Sequence, residues 1–156
     1  TCALPIFGRL LGVAERGDAI ADRLAARLDR LPLRIPPEDR RPAIYAAAYG
    51  SQIYGGTVGS SYHDVLTAAG LVDVAAGAFP GQGWPQLRIE DLLRLEPAII
   101  VTMTGNADRL RALPGMDRVE ARIVEIDGGI LGDPALILPA AEAVQQAVYG
   151  PLAAAR

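Results

Sequence analysis

The chain has no lysine, and it is poor in the other residues that most often carry catalysis. All 15 basic residues are arginines, and the 156 residues include one histidine and one cysteine. Without lysine there is no P-loop lysine, no Schiff-base lysine and no Ser-Lys dyad. A zinc site built from cysteine and histidine needs three or four such ligands, so that kind of site is nearly excluded as well.

The chain also lacks a strong charge and long hydrophobic runs. Its formal net charge is −3, and its arginines are scattered rather than gathered in a stripe, so nothing indicates nucleic-acid binding. No stretch approaches the ~18 apolar residues that cross a bilayer. A composition of 51% hydrophobic and 21% charged residues is typical of about one globular domain.

The first residues contain no targeting signal. Residues 1–11 have no basic segment, and no lipobox-like run precedes Cys2. We therefore expect that the chain either begins within a longer protein or is cytoplasmic. Cys2 is the only cysteine, so it cannot form a disulfide within the chain, and the cysteine content does not indicate an oxidising or a reducing compartment. A buried or functionally neutral thiol is favoured over a reactive one.

Periodicity, glycines and helix caps predict alternating helices and strands. The predicted helices are 18–31, a capped helix from Ser61 to a terminal Gly70, 89–95, 106–110, and one that begins at Asp133 and Pro134 and runs through Val148. The predicted strands are 42–49, 71–76, 98–103 and 122–126, and 50–62 is predicted as a loop rich in glycine and serine. This order favours an α/β fold: a three-layer α/β/α lobe with a mostly parallel, four- to five-stranded Rossmann-like sheet.

In such a sheet, ligands bind outside the carboxyl ends of the strands. Four loops qualify: 50–62, 78–87, 104–107 and 127–133. Two of them carry aromatic residues, with Tyr54 and Tyr62 in the first and Trp84, the only tryptophan, in the second. Aromatic side chains around a concavity suit a corrinoid, a heme or an aryl siderophore.

Three segments carry a family resemblance. They are Trp84-Pro85-Gln86-Leu87 with the following Glu90-Asp91-Leu92-Leu93 and Glu96-Pro97, then Gly55-Gly56-Thr57 with Asp64-Val65-Leu66 and Ala69-Gly70, and Gly8-Arg9-Leu10-Leu11-Gly12 with Glu15-Arg16. Together they resemble the C-terminal lobe of periplasmic substrate-binding proteins of the vitamin B12 and ferric-siderophore class. Proteins of that class have two lobes joined by a long helix, and they feed ABC importers.

The resemblance implies an organisation and a function. Residues 1–37 would be part of the inter-lobe helix and linker, and residues 38–156 would be the C-terminal lobe. The ligand, an iron siderophore, heme or corrinoid, would be clamped between this lobe and an N-terminal lobe, without catalysis, protein cofactor or protein-bound metal. The protein would work in the periplasm and deliver its ligand to a membrane permease.

The resemblance also implies site residues. Ligand contacts carry over to two loops, and the residues concerned are Tyr54, Thr57, Ser60, Tyr62 and Trp84. Glu90 matches the glutamate that docks family members onto an arginine of the permease. A carboxylate in the first turn of a helix suits that role, although the helix dipole favours an acid there without any partner.

Other interpretations remain open from the residues alone. Gly55-Gly56-x-x-Gly59 is similar to a degenerate dinucleotide loop, which would make the chain a small Rossmann-like nucleotide-binding enzyme, but it lacks the G-x-G-x-x-G order. The chain could also be an interaction lobe that dimerises through its cleft face.

Several residues also have a simpler interpretation than a functional one. Trp84 could fill the core, and Tyr45 and Tyr49 are expected to pack in the sheet. We expect His63 to be a solvated helix-start histidine rather than a metal ligand or a base. Residues as close in sequence as Ser60, His63 and Asp64 do not favour a hydrolase triad.

Overall fold

A computed structural model describes residues 3–150, so Cys2 and the residues after Gly150 lie outside the description. The helices are α1 (Ala3–Leu10), α2 (Ala14–Arg30), α3 (Ser61–Ala68), α4 (Ile89–Leu95), α5 (Ala107–Arg111), α6 (Gly128–Leu131) and α7 (Ile137–Tyr149). The strands are β1 (Pro42–Tyr49), β2 (Gln52–Gly56), β3 (Val72–Asp73), β4 (Gln86–Leu87), β5 (Ile99–Met103) and β6 (Arg122–Ile126). None of the described helices is both long and apolar enough to cross a membrane.

Strand β1 lies at the centre of the sheet and is buried on both faces. All residues from Ala43 to Ala48 are 0% exposed. Alanine favours helix in isolated peptides, but in β1 its small side chain lets other elements pack closely against each face. The predicted strand at 42–49 is therefore confirmed with the same bounds.

The sheet has six strands, in the order β4-β2-β1-β5-β6, with β3 paired to the start of β1. The pairs β1–β3, β1–β5 and β5–β6 are parallel, whereas β1–β2 and β2–β4 are antiparallel. The α/β fold and the mostly parallel sheet are confirmed, with three of the five strand pairings parallel. The predicted count of four to five strands was too low.

The prediction of a continuous loop at 50–62 was wrong for its first half. Residues 52–56 form β2, which pairs with β1 in an antiparallel hairpin from Tyr49↔Gln52 to Tyr45↔Gly56. Gly50, at a φ of 62°, stands in the two-residue turn, where a positive φ matches the twist of the two strands. Two glycines at the end of β2 lower its strand propensity, which is why the pattern indicated a loop.

Two hydrophobic layers cover the sheet. Alternate residues of β1, beginning with Ala43 and Tyr45, pack in one cluster with α3, α6 and α7. Their neighbours, beginning with Ile44 and Ala46, pack in the other with α4 and α5. The three-layer arrangement follows from this alternation, because successive side chains of a strand point to opposite faces.

Helices α1 and α2 form a hairpin that crosses at two glycines. A Cβ atom at Gly17 would lie 2.9 Å from the carbonyl oxygen of Leu4, so only glycine allows this contact without a shift. The amphipathic helix predicted at 18–31 is present but begins earlier, at Ala14. Its Leu24 and Leu28 pack against the cluster that contains α7.

The end of α2 is tied to the rest of the fold by buried hydrogen bonds. Gln145, on α7, is 2% exposed and donates from Nε2 to the carbonyl oxygens of Leu31, at 2.9 Å, and Ala69, at 3.3 Å. On the surface, Arg27 pairs with Glu142 at 2.6 Å. The helix hairpin is thus attached to α7 through both apolar and polar contacts.

Two helix starts differ from the predictions. The N-cap of α3 is Ser60 rather than Ser61, and its hydroxyl donates to the carbonyl oxygen of Thr57 at 2.7 Å rather than capping the helix. The last helix begins at Ile137, because Pro134–Leu136 form a 3₁₀ turn whose Ala135 N–H donates to Asp133 Oδ1 at 2.8 Å. Such shifts of a turn are common where short-range polar contacts compete with helix geometry.

Asn106 occupies the predicted N-cap position of α5, but its side chain serves β1. Its Nδ2 donates to the carbonyl oxygen of Ala48 at 3.0 Å, and its Oδ1 accepts from the Ala48 N–H at 2.7 Å. The pairing of β5 with β1 ends at Val101↔Tyr45, so Asn106 takes the place of a strand partner further along. Glu125 caps α5 instead, since its Oε1 accepts from the backbone N–H groups of Asn106 and Ala107.

We expect Asn106→Ala to lower the free energy of unfolding by about 2–4 kcal/mol, because it leaves a buried N–H and a buried C=O of Ala48 unpaired. Urea unfolding of the parent and the variant measures the change. Asn106→Asp is the informative partner, since it keeps the acceptor and removes the donor, and it should also destabilise. Asp108→Ala, at an exposed position of the same helix, is the control. A loss for Asn106→Ala no larger than for this control would contradict the assignment.

Candidate functional site: an aromatic surface

Five aromatic residues come together on one side of the sheet. The rings of Tyr45 and Tyr62 stack with centroids 3.7 Å apart. Trp84 lies 5.2 Å from Tyr62 and 5.7 Å from Tyr45. The Tyr54 ring is nearly parallel to that of Trp84 at 6.5 Å, and Tyr49 meets Tyr54 edge-on at 5.9 Å. These distances fall within the range of favourable aromatic pairs or close to it.

The cluster has a buried base and an exposed edge. Tyr45 is 0% exposed, whereas Trp84 and Tyr49 are 40% and 48% exposed. Tyr54 and Tyr62 are half-buried. We refer to the four partly exposed residues, Tyr49, Tyr54, Tyr62 and Trp84, as the aromatic surface. Tyr45 packs in the sheet as expected, but Tyr49, at the end of β1, extends into solvent.

The register of the hairpin places these rings on one face. Tyr54 pairs with Ala47, and Gly56 pairs with Tyr45. The missing side chain at Gly56 makes room for Tyr62, because a Cβ atom there would lie 2.6 Å from Tyr62 Cδ2. Glycine at this position is therefore a packing requirement of the Tyr45–Tyr62 stack.

The Trp84 loop is held against the hairpin through its backbone. The N–H of Gly55 donates to the carbonyl oxygen of Pro85 at 2.9 Å, and the N–H of Thr57 donates to that of Gly83 at 3.0 Å. Gly83 also packs closely against Gly59, since a Cβ atom there would lie 3.2 Å from the Gly59 carbonyl carbon. Trp84 therefore projects from a backbone fixed on both sides.

The hydroxyl of Tyr45 lies beneath this surface without a hydrogen-bond partner among the described residues. Burial, with a further contribution from the neighbouring Tyr62, raises the pKa of Tyr45 well above its usual range. The phenol therefore stays protonated and neutral in the core. It contributes packing to the aromatic surface rather than a charge.

The two hydroxyl residues predicted to touch a ligand lie differently from the aromatic ones. Thr57 is 1% exposed, and its Oγ1 donates to Asp73 Oδ2 at 2.9 Å. Ser60 is half-buried, and its hydroxyl donates to the backbone carbonyl oxygen of Thr57. The structure thus groups Tyr54, Tyr62 and Trp84 at the surface and places the hydroxyls of Thr57 and Ser60 in the frame that supports them.

The prediction that His63 is solvated was wrong. Its side chain is 25% exposed, and Nδ1 lies 2.8 Å from Oδ2 of Asp73, which is 1% exposed. Asp73 was not identified from the sequence. The one available signal was a lone acid within the apolar segment 71–76.

The geometry does not favour two of the enzyme interpretations. The Ser60 hydroxyl donates to a backbone carbonyl rather than to His63, so the hydrolase arrangement is not formed. Gly55 lies in β2 against Leu87, whose Cδ1 would be 2.8 Å from a Cβ atom, so this glycine pair packs against side chains instead of opening a phosphate loop. Within residues 3–150, no three His, Cys, Asp or Glu side chains are grouped to hold a metal ion.

Glu90 is exposed in the first turn of α4, a few residues after Trp84. Its neighbour Asp91 is committed to the helix start, where Oδ2 accepts from the Arg88 N–H at 3.0 Å and Oδ1 accepts from Arg94 at 3.3 Å. Glu90 has no such ion pair with the described residues. The carboxylate that the resemblance singles out is therefore the one that remains available at this helix start.

We expect Gly56→Ala to displace Tyr62 from Tyr45, because the new Cβ atom would overlap the Tyr62 ring. The near-ultraviolet circular dichroism of the aromatic cluster should fall, and the free energy of unfolding should drop by about 1–3 kcal/mol. Gly77→Ala is the matched control, since a Cβ atom there meets no other atom within 4 Å. If the two variants gave the same spectrum, the packing role of Gly56 would be wrong.

Comparison with solved structures shows similar folds. A possible iron-binding (periplasmic solute-binding) protein from Staphylococcus epidermidis ATCC 12228 has a TM-score of 0.77 and 16% identity, with 94% of this chain and 60% of that chain covered. The periplasmic heme-binding protein HutB of Vibrio cholerae has a TM-score of 0.77 and 17% identity, covering 91% and 60%. At such low identity, these likenesses show the fold.

A third structure is an ABC-type Fe3+-hydroxamate transport system from Saccharomonospora viridis DSM 43017. Its TM-score is 0.73 and its identity 22%, with 96% of this chain and 54% of that chain covered. Across these three structures, the chain spans 54–60% of the length of the proteins it matches. No curated protein matches the sequence. The profile described as "Periplasmic binding protein" matches residues 4–141, and the chain therefore belongs to this family.

Proposed function

We propose that this chain is the C-terminal lobe of a two-lobed substrate-binding protein that captures an iron chelate, heme or corrinoid for an ABC importer. The observation that carries the proposal is the aromatic surface. Trp84 and Tyr49 are 40% and 48% exposed although each is packed against another aromatic ring. Partly exposed rings on a fixed backbone are typical of a site for a large ligand with apolar faces.

The proposed second lobe is supported by the other end of the chain. Helix α1 exposes a set of large apolar side chains, and the residues after it continue this set: Ile6, Phe7, Leu10, Leu11 and Val13 are 47–76% exposed. Such a patch is typical of an interface. We assign residues 1–37 to the connector between lobes and residues 38–156 to the C-terminal lobe. The similar proteins, which are longer than this chain, are consistent with that assignment.

The ligand class follows from the chemistry of the aromatic surface. Tyr54 and Trp84 offer nearly parallel rings, 10° apart, which suit the flat face of a conjugated ligand. Heme, an aryl siderophore and a corrinoid all have such a face or a comparable apolar one. The similar structures include heme-binding proteins and an Fe3+-hydroxamate system, which favours an iron-containing ligand. The metal would arrive within its chelator as cargo.

Delivery is assigned to Glu90 and to a membrane permease, with the protein at work in the periplasm. Glu90 is exposed and lies in the helix that directly follows the Trp84 loop and β4. Charge pairing at such a position mainly sets the orientation and the rate of association. The proposed roles of capture and docking thus fall on segments that follow one another in the sequence.

We expect the isolated chain to bind ligand weakly, with a dissociation constant above about 10 μM, because half of the proposed contact area is missing. Trp84, the only tryptophan, is the reporter. Its fluorescence is followed during titration with hemin, a ferric hydroxamate, a ferric catecholate and cobalamin. The Trp84→Ala variant, followed by ligand absorbance, is the control for quenching without binding. Micromolar or tighter binding by the isolated chain would contradict the two-lobe clamp.

We expect Glu90→Gln, introduced into the gene that encodes this chain, to reduce ligand uptake by cells by about tenfold, while ligand affinity is unchanged. Uptake of the radiolabelled ligand and equilibrium binding measure the two properties separately. Glu38→Gln is the matched control, since it removes another exposed carboxylate, in the segment before β1. Equal uptake by both variants would remove the docking role from Glu90.

A further inference from the structure

Asp73 is a buried carboxylate with three hydrogen-bonding partners from three parts of the chain. Oδ2 accepts from Thr57 Oγ1 at 2.9 Å and lies 2.8 Å from His63 Nδ1. Oδ1 accepts from the N–H of Ala75 at 2.9 Å. The Asp73 side chain is 1% exposed, so these bonds form in a region of low dielectric, where a polar group without a partner is costly.

Each of the two side-chain partners is connected through the backbone to a segment that carries an aromatic residue. His63 follows Tyr62, whose ring stacks on Tyr45, in the first turn of α3. Thr57 holds the carbonyl oxygen of Gly83 through its own N–H at 3.0 Å, and Gly83 precedes Trp84. One carboxylate therefore connects the segment that carries Tyr62 and the loop that carries Trp84.

We propose that Asp73 is the positioning residue of the aromatic surface. It lies at the point where β3 ends beside β1, with Asp73 paired to Ala43. From there it fixes the separation of Tyr62 and Trp84 without contacting the ligand itself. The position of the rings stands on the geometry alone, and only the consequence for ligand affinity rests on the proposed function.

Asp73→Ala should move Trp84. Both aromatic segments lose their shared anchor, so the Trp84 emission maximum shifts to longer wavelength and acrylamide quenching increases. Leu110→Ala is the control for loss of stability, because Leu110 is 0% exposed in the cluster on the opposite face of the sheet. The proposal would be overturned if the Trp84 emission maximum and quenching of Asp73→Ala equalled those of the parent. It would also be overturned if they changed no more than in Leu110→Ala.

Asp73→Asn provides a rescue. The asparagine oxygen can still accept from Ala75, and its amide can donate to the Thr57 oxygen and to His63 Nδ1. Trp84 emission in this variant should therefore stay near the parent value. An emission as displaced as that of Asp73→Ala would overturn positioning by hydrogen bonds.

His63 gives an independent signature because it is the only histidine. At a pH where the imidazole is neutral, ¹⁵N spectra should show the proton on Nδ1 in the parent protein, facing Asp73. In Asp73→Asn the proton should move to Nε2, because Nδ1 then accepts. A parent protein with the proton on Nε2 would count against the contact.

Thr57→Val keeps the test usable if Asp73→Ala does not fold. It removes one hydroxyl and preserves the backbone hydrogen bond to Gly83. The Trp84 emission maximum should therefore shift in the same direction by a smaller amount. If the Trp84 emission of this variant equalled that of the parent, the hydrogen bond from Thr57 to Asp73 would have no part in positioning Trp84.

Hemin affinity, measured in the protein with both lobes, separates the two proposals. Loss of the anchor should weaken hemin binding by about tenfold. Suppose that the Trp84 emission maximum of Asp73→Ala shifts while its affinities for hemin, the ferric chelates and cobalamin stay unchanged. That result would support the positioning role of Asp73 and contradict the proposed function of the aromatic surface.

Discussion

The burial of β1 on both faces is the constraint on which the rest of the structure depends. Residues 43–48 are 0% exposed, so each face of this strand must be covered over these six residues. The alanines keep the covering layers close. Tyr45 is the large exception on its face, and it needs a partner of matching shape. The stack with Tyr62, at 3.7 Å, supplies this partner and brings α3 onto the sheet. Tyr62 thus links the buried Tyr45 to the partly exposed rings of the aromatic surface.

Much of the fold was predictable because short-range sequence patterns determine where many of its helices and strands lie. The helix at 89–95 and the strand at 122–126 have the bounds that periodicity indicated. Hydrophobic repeats and terminal glycines act over a few residues, so they can be read from one sequence. The antiparallel β2 was missed for a different reason. Gly55 and Gly56 lower strand propensity, and their value lies in contacts with Leu87 and Tyr62, which the local pattern does not contain.

The candidate site divides in the same way. Tyr54, Tyr62 and Trp84 were identifiable as large aromatic residues in predicted loops, and the structure places their rings together. The polar residues were harder to interpret, since the partner of a hydroxyl or an imidazole is set by tertiary structure. Thr57 and His63 both bond to Asp73, which is 16 and 10 residues further along the chain. Only the folded chain brings this carboxylate to both residues.

Two main-chain hydrogen bonds hold the Trp84 loop to the hairpin. Gly55 and Thr57 bond to the carbonyl oxygens of Pro85 and Gly83, and none of these bonds uses a side chain. The frame of the surface is thus separate from the rings that it displays. Because these bonds do not involve the side chains of Tyr54 and Trp84, we expect substitution of either ring to leave them in place. A lineage that carries this fold can therefore alter the shape and polarity of the aromatic surface by point substitution, without rebuilding the scaffold.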